Sequence, residues 1–154
     1  MTELRDEIRA LAAQYPEEAS AILPALRLAQ ERHGWLPPEA FREVGEALGL
    51  SPAYCKAVAS FYDFFHLEPT GEHLVEVCTN VSCALAGAQA TLEAFESELG
   101  CHAGETSEDG KVTLRVVECY GGCGWGPVVA VDERYREPVH AEDVAAIVEE
   151  LRRG

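Results

Sequence analysis

The stretch His73-Leu-Val-Glu-Val-Cys78-Thr-Asn-Val-Ser-Cys83 decides how the second half of this chain folds. Alternating apolar residues over 73–78 predict a half-buried strand that ends on a cysteine, with a second cysteine five positions on. A matching arrangement follows downstream. Val112 to Val117 alternates Val112, Leu114 and Val116 against Thr113, Arg115 and Val117, which predicts a strand. It leads into Glu118-Cys119-Tyr-Gly-Gly-Cys123-Gly-Trp-Gly126. Between the two strands, Leu85 to Leu99 reads as one helix with Leu85, Leu92, Phe95 and Leu99 on one face and Gly100 as its stop.

After the second cysteine pair, Pro127 to Val131 predicts a short central strand, and Asp132-Glu133 turns it into Arg134-Tyr135-Arg136 as a hairpin. Asp109-Gly110 marks a turn in the polar segment 101–111. The last helix is expected over 141–152, with Val144, Ile147, Val148 and Leu151 as its buried stripe. Strand, helix, strand, strand, strand, helix describes an α/β sandwich of thioredoxin-like type.

Upstream of Thr70-Gly71 the pattern is helical. Leu4, Ile8 and Leu11 form a stripe that Pro16 closes. A second helix is expected over 18–33, with Pro24 as a kink or as its true first turn, ending before Gly34. Pro37-Pro38 opens a third helix through Leu48, and Ser51-Pro52 opens a fourth towards Phe61, Tyr62, Phe64 and Phe65. We therefore expect an α+β/α/β protein of two domains: an N-terminal helical bundle or arm over 1–70, then the α/β domain over 71–154.

The chain has 154 residues, 47% of them hydrophobic, enough for a packed core. Its formal net charge of −15 argues against nucleic acid or an anionic membrane surface as partner, since both would repel it. No stretch approaches the roughly 20 apolar residues that span a bilayer. The opening Met1-Thr-Glu-Leu-Arg-Asp-Glu7 lacks the layout of a secretory signal. A cytoplasmic protein is expected, and its six cysteines then point to metal or catalytic chemistry before disulfides.

Cys78 and Cys83 (C-x4-C) and Cys119 and Cys123 (C-x3-C) both follow strand ends, where α/β sheets bind ligands. If those strands are neighbours, four thiolates meet. That donor set suits a [2Fe-2S] cluster, each pair on one iron. Backbone N–H groups at the start of the 85–99 helix, the four glycines of 120–126, and Trp125 and Tyr120 as shields from water would suit such a cluster. Structural zinc is the main competitor, although its pairs are usually C-x2-C. A thiol–disulfide enzyme would want C-x-x-C, and a Rieske centre two histidines, whereas His33, His66, His73, His102 and His140 all lie away from the pairs. Cys55, within a helix, and Cys101, a loop thiol, are excluded as ligands. The glycine run 121–126 precedes a strand rather than a helix, so it is no dinucleotide fingerprint.

Cys78-Thr-Asn-Val-Ser-Cys83-Ala-Leu-Ala-Gly87 and Glu118-Cys119-Tyr-Gly-Gly-Cys123 resemble the two ligand motifs of the thioredoxin-like [2Fe-2S] subunit, of the E type, of NADH-quinone oxidoreductase (respiratory complex I). Leu26-Arg-Leu-Ala-Gln-Glu-Arg-His-Gly-Trp-Leu-Pro-Pro38 and Val58-Ala-Ser-Phe-Tyr62 are similar to that family's N-terminal region. The resemblance implies a thioredoxin-like ferredoxin domain holding one [2Fe-2S] cluster on Cys78, Cys83, Cys119 and Cys123. It implies single-electron exchange with FMN on a partner subunit that oxidises NADH, with no complete active site in this chain. It also implies a position peripheral to the inner membrane through the complex. Related subunits serve NAD-reducing hydrogenases and NAD-linked formate dehydrogenases. The sequence departs from the family's usual Leu-Gly-Ala at Tyr120-Gly121-Gly122, and from its Ala-Pro at Trp125-Gly126-Pro127, without touching a cysteine.

Overall fold

The computed structural model describes residues 2–153, in two compact units, one reaching to Pro69 and the other starting at Thr70. The first contains α1 (Thr2–Ala12), α2 (Ile22–His33), α3 (Pro38–Leu48) and α4 (Pro52–Ala59). Its core gathers Ile8, Leu26, Leu36 and Val44, all essentially inaccessible to water, with α3 touching each of the other three helices. The helix stops are chemical. Gly34 and Gly49 take left-handed φ values of 80° and 67°, and each returns its N–H to the carbonyl four residues back. Ser51 Oγ accepts the Tyr54 N–H at 3.2 Å, with Pro52 as the first helical residue.

Where one helix was expected over 18–33, Glu18–Ala21 forms a 3-10 turn and α2 begins at Ile22. Pro24 therefore sits in the first turn of α2, where its missing N–H costs no bond. The segment after α4 is tied back by Gln30, whose Nε2 donates to the Phe64 carbonyl (3.0 Å) while its Oε1 accepts the His66 N–H (2.7 Å). His33 and the buried Glu43 pair at 2.9 Å.

The second unit is a mixed four-stranded sheet with helices. It comprises β1 (His73–Cys78), α5 (Val81–Leu85), α6 (Ala88–Leu99), β2 (Val112–Val117), β3 (Val129–Val131), β4 (Arg134–Arg136) and α7 (Val144–Arg153). The sheet order is β2-β1-β3-β4. β1 runs parallel to β2, in a register from His73–Val112 to Cys78–Val117, and antiparallel to β3, pairing Val77 with Val129. Val75, Val77, Val112, Leu114, Val129 and Val131 share one face and pack with Phe95 and Leu92 of α6 and Val144, Ile147, Val148 and Leu151 of α7. The opposite face carries Glu76, Cys78 and Arg115.

Two expectations need correction here. The helix expected over 85–99 is two helices, because Gly87 adopts φ 106° and breaks it; Leu85, expected on the buried face, is 86% exposed on the last residue of α5. Val116 is exposed although Val77 beside it is buried, since β2 is an edge strand whose end the helices do not cover. Thr113 is buried, where its Oγ1 accepts the Gly71 N–H at 2.6 Å and pairs with Thr106 Oγ1 at 2.8 Å. Cys101 is a free thiol in the bend after α6, as expected, and its side chain is drawn into the core. Among the described residues no helix is long and apolar enough to cross a membrane.

Two outcomes test this packing. A Cβ on Gly45 would lie 2.6 Å from the Leu50 carbonyl oxygen, a backbone atom that cannot step aside cheaply. Gly45→Ala is therefore expected to cost about 1–3 kcal/mol in chemical denaturation. Arg136 holds Glu150 through two bonds of 2.8 and 2.7 Å, which lower the Glu150 pKa. A depressed carboxylate stabilises the fold above its unfolded pKa and loses that contribution as pH falls through the folded one. Arg136→Gln should thus lower the denaturation midpoint at pH 7 and leave it unchanged at pH 2.

Candidate metal centre

Cys78 is the last residue of β1, and the chain is held from both sides as it leaves the sheet. Its N–H donates to Val128 O (3.0 Å) and the Thr79 N–H to Val117 O (3.1 Å). Asn80 then caps α5, its Oδ1 accepting the Val81 N–H at 2.9 Å. Cys83 follows inside this short helix, buried, rather than ahead of a helix start. The 85–99 helix N-terminus expected beside Cys83 therefore does not exist, and the local donors come from elsewhere.

Cys119 lies two residues beyond β2, and Cys123 opens a 3-10 turn over Cys123–Trp125. Two glycines are required here. Gly121 has φ 73° and directs its N–H at Cys119 Sγ, 3.2 Å away. Gly126 passes so close to Cys83 that a Cβ would lie 3.3 Å from its Cα and 3.4 Å from its Sγ. Cys78 and Cys83 form a small buried cluster with Ala88 and Val128, against which Val117 and Tyr120 pack.

Cys78 and Cys83 each feel the other and one cysteine of the downstream pair. Burial opposes ionisation of Cys78, but the N–H groups of Asn80 and Tyr120 and the thiols of Cys83 and Cys119 outweigh it, so its pKa falls below the ordinary thiol value. Burial raises that of Cys83, partly offset by the Val128 N–H, and nearby Cys78 and Cys123 raise it further. Cys78 thus touches one member of each pair, and Cys83 feels Cys123. Among the described residues no three His, Cys, Asp or Glu side chains converge as they would around a metal ion.

Cys119 and Cys123 are exposed, and all six cysteines are free thiols. Trp125 does not shield the site: it is 66% exposed, and Val81 (67%) and Leu85 are exposed too. Cys55 belongs to the core of the helical unit and Cys101 to the core between sheet and helices, and burial raises both their pKa values. Two of the histidines are occupied elsewhere, His73 with Asp132 at 2.8 Å and His102 with Glu96 at 3.4 Å.

Glu76 is a site residue that the sequence reading misses, although a carboxylate in the middle of the apolar run His73-Leu-Val-Glu-Val-Cys78 is a signal for it. It is buried, accepts the Tyr120 hydroxyl, and has Arg115 of β2 at 3.8 Å. Burial and the bond to Glu76 push the Tyr120 pKa far above its ordinary range, keeping the phenol protonated. Two cysteine pairs leaving the same end of the sheet, one buried and one exposed, each with a backbone N–H donor, match in residue type the four-thiolate ligand set and the hydrogen-bonded surroundings of a [2Fe-2S] cluster.

The profile of the thioredoxin-like [2Fe-2S] ferredoxins matches residues 8–152. The chain is 43% identical over 149 residues to an E-type NADH-quinone oxidoreductase subunit from Rhizobium meliloti (strain 1021), covering 97% of this chain and 89% of that one. It is 39% identical over 145 residues to NADH-quinone oxidoreductase subunit 2 of Thermus thermophilus, covering 92% and 80% respectively. Among solved structures, the air-oxidised NAD+-reducing [NiFe]-hydrogenase superposes with a TM-score of 0.78 over 86% of this chain and 23% of that chain. At 23% identity that likeness concerns the fold alone. By profile and by relatives alike, the chain belongs to the thioredoxin-like [2Fe-2S] ferredoxin family.

Proposed function

We propose that this chain is the electron-transfer subunit of an NADH-quinone oxidoreductase, passing single electrons between one [2Fe-2S] cluster and the FMN of a partner subunit that oxidises NADH. Cys78, Cys83, Cys119 and Cys123 hold the cluster. Residues 71–154 form the cluster domain and residues 1–70 a helical arm. The observation that carries this is the meeting of two cysteine pairs at one end of the sheet, with N–H donors on their sulfurs. When bound, such a cluster supplies one-electron chemistry at a potential set by hydrogen bonding and exposure.

The residues around it have separable tasks. The N–H groups of Asn80, Tyr120, Gly121 and Val128 stabilise negative charge on sulfur. Burial of Cys78 and Cys83 keeps water from one side, and exposure of Cys119 and Cys123 leaves the other open to a redox partner. Val81, Leu85 and Trp125, exposed on adjoining elements beside that opening, offer apolar area for a docked protein. Gly121–Gly126 leads through a 3-10 turn into β3, so no dinucleotide loop is formed and hydride chemistry belongs to another chain. The protein then acts in the cytoplasm, at the membrane only through its complex.

The names of the Rhizobium and Thermus relatives favour the quinone-linked complex over an NAD-reducing hydrogenase or formate dehydrogenase. Anaerobically purified protein should contain about two iron and two sulfide per chain, and should copurify with an FMN-containing chain. Cys119→Ser should abolish or severely alter the visible spectrum, whereas Cys55→Ser should leave it unchanged. A colourless protein with stoichiometric zinc, or an unaltered spectrum in Cys119→Ser, would refute the assignment.

A further inference from the structure

Tyr120 makes more contacts than a spacer between two ligands needs. Its hydroxyl donates to Glu76 on β1, its N–H serves the Cys78 sulfur, and its carbonyl accepts the Tyr135 hydroxyl at 3.2 Å. The Tyr120 and Tyr135 rings pack with centroids 5.0 Å apart. One residue therefore ties the loop 119–123 to the central strand, to the outer strand β4 and to the sulfur at the end of β1. The carboxylate it grips is itself fixed. Glu76 faces the same side of β1 as Cys78, is 8% exposed, and pairs in register with Arg115 on β2.

A loop bearing two exposed cysteines and two glycines, Gly121 and Gly122, has little stiffness of its own. Backbone freedom of that kind lets the Cys119 and Cys123 sulfurs drift relative to Cys78 and Cys83. We propose that the Glu76–Tyr120–Tyr135 clamp is a positioning device that fixes loop 119–123, and so sets the placement of the Cys119 and Cys123 sulfurs on the metal. Tyr120 and Glu76 are positioning residues, acting through the cysteines. The proposal rests on those four cysteines being the ligands.

The test compares wild type with Tyr120→Phe, Glu76→Gln and Tyr135→Phe, each purified anaerobically as the full chain. Three quantities are read: iron per chain, the g-values of the dithionite-reduced protein, and the rate of iron release to a chelator. Loss of an outer partner typically weakens a metal site about 10- to 100-fold, so Tyr120→Phe should release iron about tenfold faster and show shifted g-values. Glu76→Gln keeps an acceptor for the phenol and should stay within about twofold of wild type. Tyr135→Phe loses one hydrogen bond at an exposed position where folding is not at stake, and should release iron about threefold faster. A clamp that merely stabilised the fold would lower the unfolding midpoint without moving the g-values. Wild-type g-values and release in Tyr120→Phe overturn the proposal; if that variant does not fold, wild-type release in Tyr135→Phe does so instead. Wild-type protein without iron would overturn the cluster assignment itself, and the clamp with it.

Discussion

The site depends on the parallel ladder between β1 and β2. With Cys78 opposite Val117, the chain leaves both strands at the same end of the sheet, and each exit carries a cysteine pair. An antiparallel pairing would have sent the two exits to opposite ends. The parallel arrangement requires a crossover, and here the crossover is α5 followed by α6, with α6 packed over the buried face of the sheet. The antiparallel pairing of β1 with β3 on its other side completes the constraint. Cys78 bonds towards β3 through Val128 and Thr79 towards β2 through Val117, so the end of β1 cannot fray.

The same sheet divides labour between its faces. One is aliphatic where β1, β2 and β3 lie under the helices and supplies the stability, with α6 and α7 burying Val75, Val77, Leu114 and Val129, while His73, Arg134 and Arg136 lie at its margins. The other accepts polar groups that a core would reject. Glu76 is tolerable there because the Tyr120 hydroxyl and the Arg115 guanidinium offset the loss of its water. Period-two alternation along β1 then delivers Cys78 to the face that Glu76 already occupies.

Much of this is readable in the residues because local chemistry and tertiary context agree. The glycine stops at Gly34, Gly49 and Gly100, the Ser51-Pro52 start and the Val144, Ile147, Val148, Leu151 stripe each follow from one backbone or burial requirement. The failures share a cause. Leu85-Ala-Gly-Ala-Gln-Ala holds one glycine among good helix formers, a cost of about 1 kcal/mol that a helix can absorb, and here Gly87 instead takes φ 106° and separates α5 from α6. Trp125 and Val116 carry hydrophobic side chains with nothing above them, and composition cannot tell such a residue from a core one. Cys101 shows the opposite case, a cysteine in a polar segment that the fold draws into its core.

Charge distribution links these points. The chain carries a formal −15, and its acids lie mostly on helix surfaces, where pairs such as Arg32–Glu7 and Arg153–Glu149 contribute little each. Yet between Thr79 and Ala88, and again between Cys119 and Val128, not one residue is charged. Carboxylates beside four thiolates would raise the cost of ionising them, and the cost would grow with any further negative charge at the site. Keeping charge out of the two loops limits that cost to the carboxylates at their edges, Glu118 and the Arg115-paired Glu76, and the donors in the loops are neutral backbone N–H groups, which stabilise anionic sulfur without competing for it. The same economy leaves Val81, Leu85 and Trp125 free of charged neighbours along the chain, so these exposed apolar side chains stand on the same two loops as the sulfurs. Electrostatics within the site and adhesiveness outside it are therefore met by one feature of the sequence.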